Sequence, residues 1–279
     1  MNNNLRRISI AGLMLVIIVG MSLALVGCGG GSDKKNERDL GLLKAGVLRI
    51  ATDADFAPFE QVVTSGGFQT RCGTARVDGI SIRIAHEIAT ELGLGFEVEL
   101  MEWSAVLLAT QTRHADMAVA GMTIREDRRQ NMDFTIPWFM AGQVVVVQQG
   151  NNTYDSMTYA QIRAAMSGKN VGGVVGQTGA LLGEELGAKV QGFTTNAAML
   201  QAVSGGQVEL AIMDNVTALT AVKENPSLNL RVVNVPLSNE QYGFGVRRGN
   251  AELLYQVNNV MASMFMNGRM DAIFAQFIS

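Results

Sequence analysis

A small set of charged, polar and aromatic residues follows the predicted strands of this chain. Its members are Asp53, Phe56, Trp103, Gly121, Thr123, Arg128, Thr178, Gly179 and Asp214. A guanidinium such as that of Arg128 forks onto a carboxylate through two parallel hydrogen bonds, and free amides at a helix start can hold the same anion. A lone carboxylate such as that of Asp214 suits an ammonium group, and exposed carbonyls near Gly121 can accept its other protons. The set therefore fits the zwitterion of an α-amino acid, with aromatic rings beside its side chain.

Each of these residues also has a purely structural explanation. Arg128 lies in the stretch REDRRQ, and a charged helix start is usually a solvated face. Asp214 precedes Asn215 and could cap a helix, and Asp53 could cap a turn and face solvent. Phe56 and Trp103 could belong to the core. The ordered combination, rather than any single member, indicates ligand binding.

Composition excludes several other functions. The formal net charge of -3 argues against nucleic acid as a partner, since nucleic-acid binding needs a clustered basic face. The usual zinc site needs four clustered Cys or His ligands, and the two cysteines and two histidines of this chain are spread over residues 28–114. The segment GGVVGQTG lacks the Gly-Lys-Ser/Thr ending of a phosphate-binding loop. We expect no metal, no cofactor and no catalytic nucleophile.

Strands and helices alternate along the chain in two sets of similar size. This pattern predicts an α/β protein with mostly parallel sheets, arranged as two lobes with a cleft between them. In open α/β sheets, ligands bind beyond the carboxyl ends of the strands. The residues named above occupy those positions.

The N-terminus has the order of a secretory signal. Two arginines precede an apolar run from Ile8 to Val26, and the tetrapeptide Leu-Val-Gly-Cys ends at Cys28. This tetrapeptide resembles a bacterial lipobox, so residues 1–28 are predicted to be a lipoprotein signal peptide with lipidation at Cys28. An uncleaved membrane anchor is the alternative. Residues 29–43 then form a flexible tether. Cys72 is left without a partner and is expected to be a buried thiol, the alternative being a pair with another molecule.

Seven blocks, in order, carry a resemblance that spans nearly all of residues 44–279. They are DADFAPFE, GISIRIAHEIATELG, MEWSAVLLATQ, ADMAVAGMTIREDRRQNMDFT, VGGVVGQTGA, AIMDN and EQYGFGVRRGNAELLYQVN. They resemble the family 3 periplasmic solute-binding proteins, the amino-acid receptors of ABC importers. The resemblance implies a periplasmic binding protein fold, in which two α/β lobes are joined by two hinge strands. It places lobe 1 at residues 44–142 and 240–279, lobe 2 at 143–239, and the hinge strands near 142–147 and 236–242.

The resemblance also implies roles for the residues of the set. Arg128 would grip the ligand α-carboxylate, helped by backbone amides at Thr178 and Gly179. Gly121, Thr123 and Asp214 would take the α-ammonium, and Phe56 and Trp103 would enclose the side chain.

The chain departs from the family pattern in three places. Neither Ser81 nor Arg83 is acidic where the family usually has an acid, and the hairpin containing Cys72 is long. Val175 and Met213 stand where glutamine-type receptors have lysine and histidine, which puts glutamine itself in doubt.

The expected protein is a monomeric, membrane-anchored lipoprotein that faces the periplasm or cell exterior. It would deliver a free L-amino acid, polar or cationic, to an ABC transporter permease, with Asp53 at the far end of the side-chain slot and Asp55 and Glu102 near it. Two alternatives remain. One is a cyclohexadienyl or arogenate dehydratase-like enzyme, for which the candidate acids are Asp53, Asp55 and Glu184. The other is a partner-linked amino-acid sensor.

Overall fold

The structure, a computed structural model, describes residues 39–278, in which strands and helices alternate. Up to the first crossing between lobes the elements are β1 (Val47–Thr52), β2 (Asp55–Phe56), β3 (Glu60–Val63), β4 (Phe68–Gln69), β5 (Arg76–Asp78), α1 (Ile80–Glu91), β6 (Gly95–Leu100), α2 (Trp103–Val106), β7 (Met117–Ala118), α3 (Glu126–Arg129), β8 (Met132–Phe134) and β9 (Phe139–Ala141). The second lobe contains β10 (Gln143–Gln148), α4 (Tyr159–Ala165), β11 (Asn170–Val174), α5 (Thr178–Glu185), β12 (Lys189–Phe193), α6 (Asn196–Ser204), β13 (Leu210–Asp214), α7 (Asn215–Glu224), a 3-10 turn (Pro226–Leu228) and β14 (Leu230–Val233). The chain then returns through β15 (Glu240–Tyr242), β16 (Gly245–Arg247), α8 (Ala251–Met266) and α9 (Arg269–Phe274).

Lobe 1 is built on a five-stranded sheet with the order β6-β1-β7-β16-β8. Helix α1 covers this sheet because Ile80, Ile84 and Ile88 recur along one face of the helix, and all three are fully buried. Helices α8 and α9 pack against α1. A separate four-stranded sheet, β2-β3-β5-β4, continues from the end of β1.

Lobe 2 is built on a second five-stranded sheet with the order β12-β11-β13-β10-β14. Its central strand β10 carries the run Val144–Val147, which is fully buried because apolar side chains cover both faces of the sheet. Helices α5, α6 and α7 begin next to strands β11, β12 and β13, so their N-termini lie at one edge of the sheet. Thr195 caps α6, since its hydroxyl accepts a hydrogen bond from the amide of Ala198.

A two-stranded antiparallel sheet joins the lobes. Strand β9 pairs with β15, with Ala141 opposite Glu240 and Phe139 opposite Tyr242. The chain crosses between the lobes immediately after β9 and again just before β15. The first hinge strand therefore lies earlier than the predicted residues 142–147, because that segment is the buried core strand of lobe 2. The exact lobe boundaries remain a prediction.

The prediction of mostly parallel sheets was wrong. In lobe 1, β1 is parallel to β6 and β7, but β16 is antiparallel to β7 and β8. In lobe 2, β11 is parallel to β12 and β13, but β10 is antiparallel to β13 and β14. Strands β10 and β16 enter their sheets directly from the hinge, without the crossover helix that a parallel neighbour requires.

The prediction for Cys72 was also wrong, since this cysteine is exposed. It lies in the turn between β4 and β5, at the end of the long hairpin and away from the core of lobe 1. The signal peptide, Cys28 and most of the predicted tether lie outside the described residues. Between residues 39 and 278, no helix combines the length and apolar character needed to span a membrane, and no three His, Cys, Asp or Glu side chains converge as a metal site would require.

Candidate ligand-binding site

A small cavity lies between the two lobes. All nine residues that the sequence predicted for the site line this cavity, together with four that it did not predict. The four additional residues are Glu60, Gln143, Gln177 and Tyr242. Strands from both sheets end here, so residues far apart in sequence are brought to one place.

Arg128, on α3, is buried and supplies the positive charge at one end of the cavity. Its guanidinium donates hydrogen bonds of 3.0 Å to the carbonyl oxygens of Thr123 and Gly176. The central carbon of the guanidinium (Cζ) lies 5.3 Å from the centre of the Trp103 ring, which is within cation–π range. Burial lowers the pKa of Arg128 to about 10, which still leaves it charged at neutral pH. Three of its five N–H groups remain for an anion.

The N-terminus of α5 lies beside this guanidinium and adds backbone donors. Gln177 precedes the helix and Thr178 begins it, and the first amides of a helix have no acceptor within it. Gly179 allows the helix to approach β13 closely, since a Cβ there would lie 2.1 Å from the carbonyl oxygen of Ile212. The helix start and Arg128 together form an anion site.

Asp214 is the last residue of β13 and is almost fully buried. It does cap α7, because its Oδ1 accepts the amides of Val216 and Thr217. Its Oδ2 also accepts the hydroxyl of Tyr242. Burial raises the pKa of Asp214 to about 7. Asp214 thus has a structural role and also presents a carboxylate to the cavity.

Two further acids line the cavity from lobe 1. Asp53 follows β1, its Oδ1 is buried without a hydrogen-bond partner among the described residues, and burial raises its pKa to about 7. Glu60, at the start of β3, accepts hydrogen bonds from the hydroxyl of Ser81 and the amide of Gly121. Burial raises the pKa of Glu60 well above its usual range. Glu60 therefore supplies a carboxylate next to Ser81, where the family pattern has an acid and this chain does not.

Aromatic rings form part of the wall. Phe56 stacks on Phe59, and its ring centre lies 6.4 Å from that of Tyr242. A Cβ at Gly121 would lie 2.7 Å from the Phe56 ring, so the glycine makes room for this ring as well as exposing its backbone. Trp103 lies over Arg128, and its indole nitrogen is buried without a partner among the described residues.

The other acids considered from the sequence lie outside the cavity wall. Asp55 reaches across the cleft, where its Oδ2 accepts the backbone amide of Asn196 at 2.7 Å. Glu102 and Glu184 are exposed, at the start of α2 and near the end of α5. Two other hydrogen bonds also cross the cleft: one from Arg128 to the carbonyl of Gly176, and one of 3.1 Å from the Thr178 hydroxyl to the Thr123 hydroxyl. Together with the Asp55 contact, they hold the lobes in a closed arrangement.

The residues that sequence reasoning missed carried weak signals. Gln143 is a polar residue at the start of a buried valine run, and Tyr242 lies in the block EQYGFGV. Glu60 ends the block DADFAPFE. None of these three residues directly follows a strand, so in the sequence each resembles an ordinary strand residue. Their place in the site is visible only in the assembled sheets.

A closed two-lobed fold with a charged cavity at its strand ends defines a ligand-binding protein. The chain belongs to family 3 of the bacterial extracellular solute-binding proteins, whose family model matches residues 48–279. It is therefore a member of an extracytoplasmic family.

Individual relatives agree with this assignment. A probable histidine-binding protein from Neisseria gonorrhoeae is 27% identical over 264 residues, which cover 92% of each chain. Among solved structures, an ancestral arginine-binding protein bound to arginine is 33% identical with a TM-score of 0.72, covering 84% of this chain and 99% of that chain. The ancestral amino acid-binding protein AncCDT-1, described as a precursor of cyclohexadienyl dehydratase, is 28% identical with a TM-score of 0.71, covering 84% and 96% of the two chains.

Proposed function

We propose that this protein captures an L-amino acid with a cationic side chain, such as arginine, between its two lobes and delivers it to an ABC transporter permease. The observation that carries this proposal is the distribution of charge around the cavity. Of the residues that line it, Arg128 alone is a cation, whereas Asp53, Glu60 and Asp214 are acids.

The two ends of the cavity match the two charges of an amino acid. The ligand carboxylate would accept hydrogen bonds from Arg128 and from the first amides of α5. The ligand ammonium would donate to Asp214. A bound zwitterion thus places each of its charges against an opposite charge in a site from which water is largely excluded.

The side chain would extend toward Asp53 and Glu60. Both acids have raised pKa values because they are buried without a cation beside them. A guanidinium or ammonium would supply the missing charge, and the faces of Phe56 and Trp103 would favour it further. A ligand with a glutamate or aspartate side chain would instead bring a further negative charge next to Asp53 and Glu60.

Two of the relatives support the class of ligand. The names of the Neisseria protein and of the ancestral protein refer to histidine and arginine, whose side chains are cationic or become so near neutral pH. Delivery to a permease is supported by a relative that is named an ABC transporter glutamine-binding protein. Closure of the lobes would present a combined surface to that permease.

The proposal includes a lipid anchor and no catalytic activity. Lipidation at Cys28 and a short tether would hold the protein at the outer face of a membrane as a monomer. The dehydratase alternative retains one favourable observation, since Asp53 has the near-neutral pKa expected of a general acid. Its substrates are dicarboxylates, however, and only one cation lines the cavity.

Calorimetric titration of the protein, refolded after denaturation to remove bound ligand, tests the proposal. L-arginine, L-lysine, L-histidine, L-glutamine, L-glutamate and L-leucine form the panel. A melting experiment provides an independent measurement. A ligand at about 100 times its Kd stabilises the fold by about 2.7 kcal/mol, which raises the melting temperature by about 5–10 °C.

We expect the cationic amino acids to bind most tightly and glutamate not to bind. Tightest binding of glutamate or leucine would contradict the cationic assignment, and binding of no amino acid would contradict the receptor function. Formation of an aromatic product from prephenate or arogenate, measured by ultraviolet absorbance, would favour the dehydratase alternative.

A further inference from the structure

A buried carboxylate in the hinge contacts the ligand-binding residues from behind. Glu240 is the first residue of β15 and is only 6% exposed. It accepts three hydrogen bonds, all from uncharged groups: the Thr123 hydroxyl at 2.6 Å, the Gln143 side-chain amide at 3.3 Å and the Ser238 hydroxyl at 2.6 Å. Glu240 itself does not line the ligand cavity, whereas Thr123 and Gln143 do.

The bond from Thr123 fixes the direction of its hydroxyl. A hydroxyl group has one proton to donate, and a carboxylate can only accept. Because that proton points to Glu240, the oxygen of Thr123 presents its lone pairs to the remaining neighbours. The hydroxyl of Thr178 already donates to it at 3.1 Å. Thr123 is therefore an acceptor on its cavity side.

The hydrogen bond from Gln143 to Glu240 likewise fixes the orientation of the Gln143 side-chain amide. Its NH₂ group points to Glu240, so its carbonyl oxygen points the other way. That oxygen is buried without a partner among the described residues, and it lies 2.9 Å from where a Cβ on Gly179 would be. Gln143 is also paired with Asp214 across β10 and β13, which places it next to the acid at the ammonium end.

We propose that Glu240 is a positioning residue that orients Thr123 and Gln143 so that both present oxygen atoms to the α-ammonium of the ligand. The inference rests on the proposed function, because it assumes that an amino acid occupies the cavity. Without an acceptor at position 240, the hydroxyl could turn its proton into the cavity and the amide could reverse. Both oxygen acceptors in the cavity would then be replaced by donors, which repel an ammonium.

The test compares two ligands that differ only in the ammonium. L-arginine and its des-amino analogue carry the same carboxylate and guanidinium, and L-glutamine with its des-amino analogue provides a second pair. Glu240→Met removes the acceptor while keeping the length of the side chain. Because it leaves the donors of Thr123, Gln143 and Ser238 without this partner, its melting curve is measured before the titrations. Glu240→Gln is the conservative variant, because its oxygen can face Thr123 and Gln143 while its NH₂ group faces Ser238.

We expect Glu240→Met to weaken L-arginine binding at least about ten-fold while changing binding of the des-amino analogue by less than about three-fold, since misoriented dipoles act on the ammonium. Glu240→Gln should restore most of the discrimination. Gln241→Met is the matched control, because Gln241 is the next residue of β15 and its side chain is exposed, and it should leave the discrimination unchanged.

Equal losses for both ligands in Glu240→Met would overturn the inference and indicate a general effect on the hinge. A Glu240→Gln variant as impaired as Glu240→Met would also overturn it, since charge rather than orientation would then matter. If Glu240→Met does not fold, a crystal structure of the wild-type protein with L-arginine decides: Thr123 Oγ1 and Gln143 Oε1 both within hydrogen-bond distance of the ligand α-nitrogen support the inference, and either oxygen out of reach of that nitrogen contradicts it. Failure of the wild-type protein to bind either amino acid would instead refute the proposed function.

Discussion

Replacement of Arg128 by lysine separates the shape of the guanidinium from its charge. In the structure, Arg128 donates to the carbonyl oxygens of Thr123 in lobe 1 and Gly176 in lobe 2, and three N–H groups remain for a carboxylate. A lysine keeps the charge but cannot make two parallel bonds to the ligand while also reaching both carbonyls. Losing one charge-assisted hydrogen bond costs about 1.5–3 kcal/mol, which corresponds to about ten- to hundred-fold weaker binding.

Calorimetric titration with L-arginine measures this loss for Arg128→Lys, and a melting curve of the ligand-free variant reports whether the fold is retained. Arg129→Lys is the matched control, since Arg129 is the next residue of α3 but is exposed, and it should bind as the wild type does. Arg128→Ala removes the charge as well and should cost about 2–5 kcal/mol. Binding by Arg128→Lys within about three-fold of the wild type, with a normal melting curve, would refute the assigned role of the fork.

Three other predictions concern the fold, the pH dependence and the anchor. Gly179→Ala should destabilise the protein by about 1–3 kcal/mol and weaken ligand binding, because its Cβ would overlap the backbone of β13. Gly150→Ala is the control and should do neither, since nothing lies within 4 Å of its Cβ. Equal melting temperatures of the two variants would contradict this prediction. Asp53 and Asp214 have pKa values of about 7, and a bound cation favours their charged forms, so affinity for L-arginine should rise as the pH is raised toward about 7 and level off above it. Calorimetry in buffers of different ionisation enthalpy should show proton release on binding, and an affinity that is flat or falls over this range would count against the acid-lined cavity. Cys28→Ser should release the protein from the membrane fraction or leave its signal uncleaved, whereas unchanged processing and anchoring would rule out lipidation at that residue.

Sequence patterns were sufficient for the parts of the molecule that depend on local regularity. The isoleucine stripe of α1 and the alternation of strands with helices predicted the elements and the two-lobed fold, because each follows from burial of one face. The site residues were predictable where they directly follow strands, as Asp53 and Asp214 do. All nine of these residues line one cavity, although their individual roles remain predictions.

The remainder depends on how the sheets are assembled. Tyr242 lies in β15 and Gln143 begins β10, and only the pairing of these strands with β9 and β13 brings the two residues to the cavity. Ser81 looked like the loss of an acid, but Glu60, 21 residues earlier, places a carboxylate against the Ser81 hydroxyl. Exposure of Cys72 follows from where the long hairpin ends, which no local pattern encodes.

The most direct measurement of the central claim is a crystal structure of the protein with L-arginine. We predict that the ligand lies between the lobes, with its carboxylate on Arg128 and the start of α5, its ammonium next to Asp214, and its guanidinium near Asp53 and Glu60. A ligand bound in the reverse orientation, or a cleft that remains without L-arginine at saturating concentration, would contradict it.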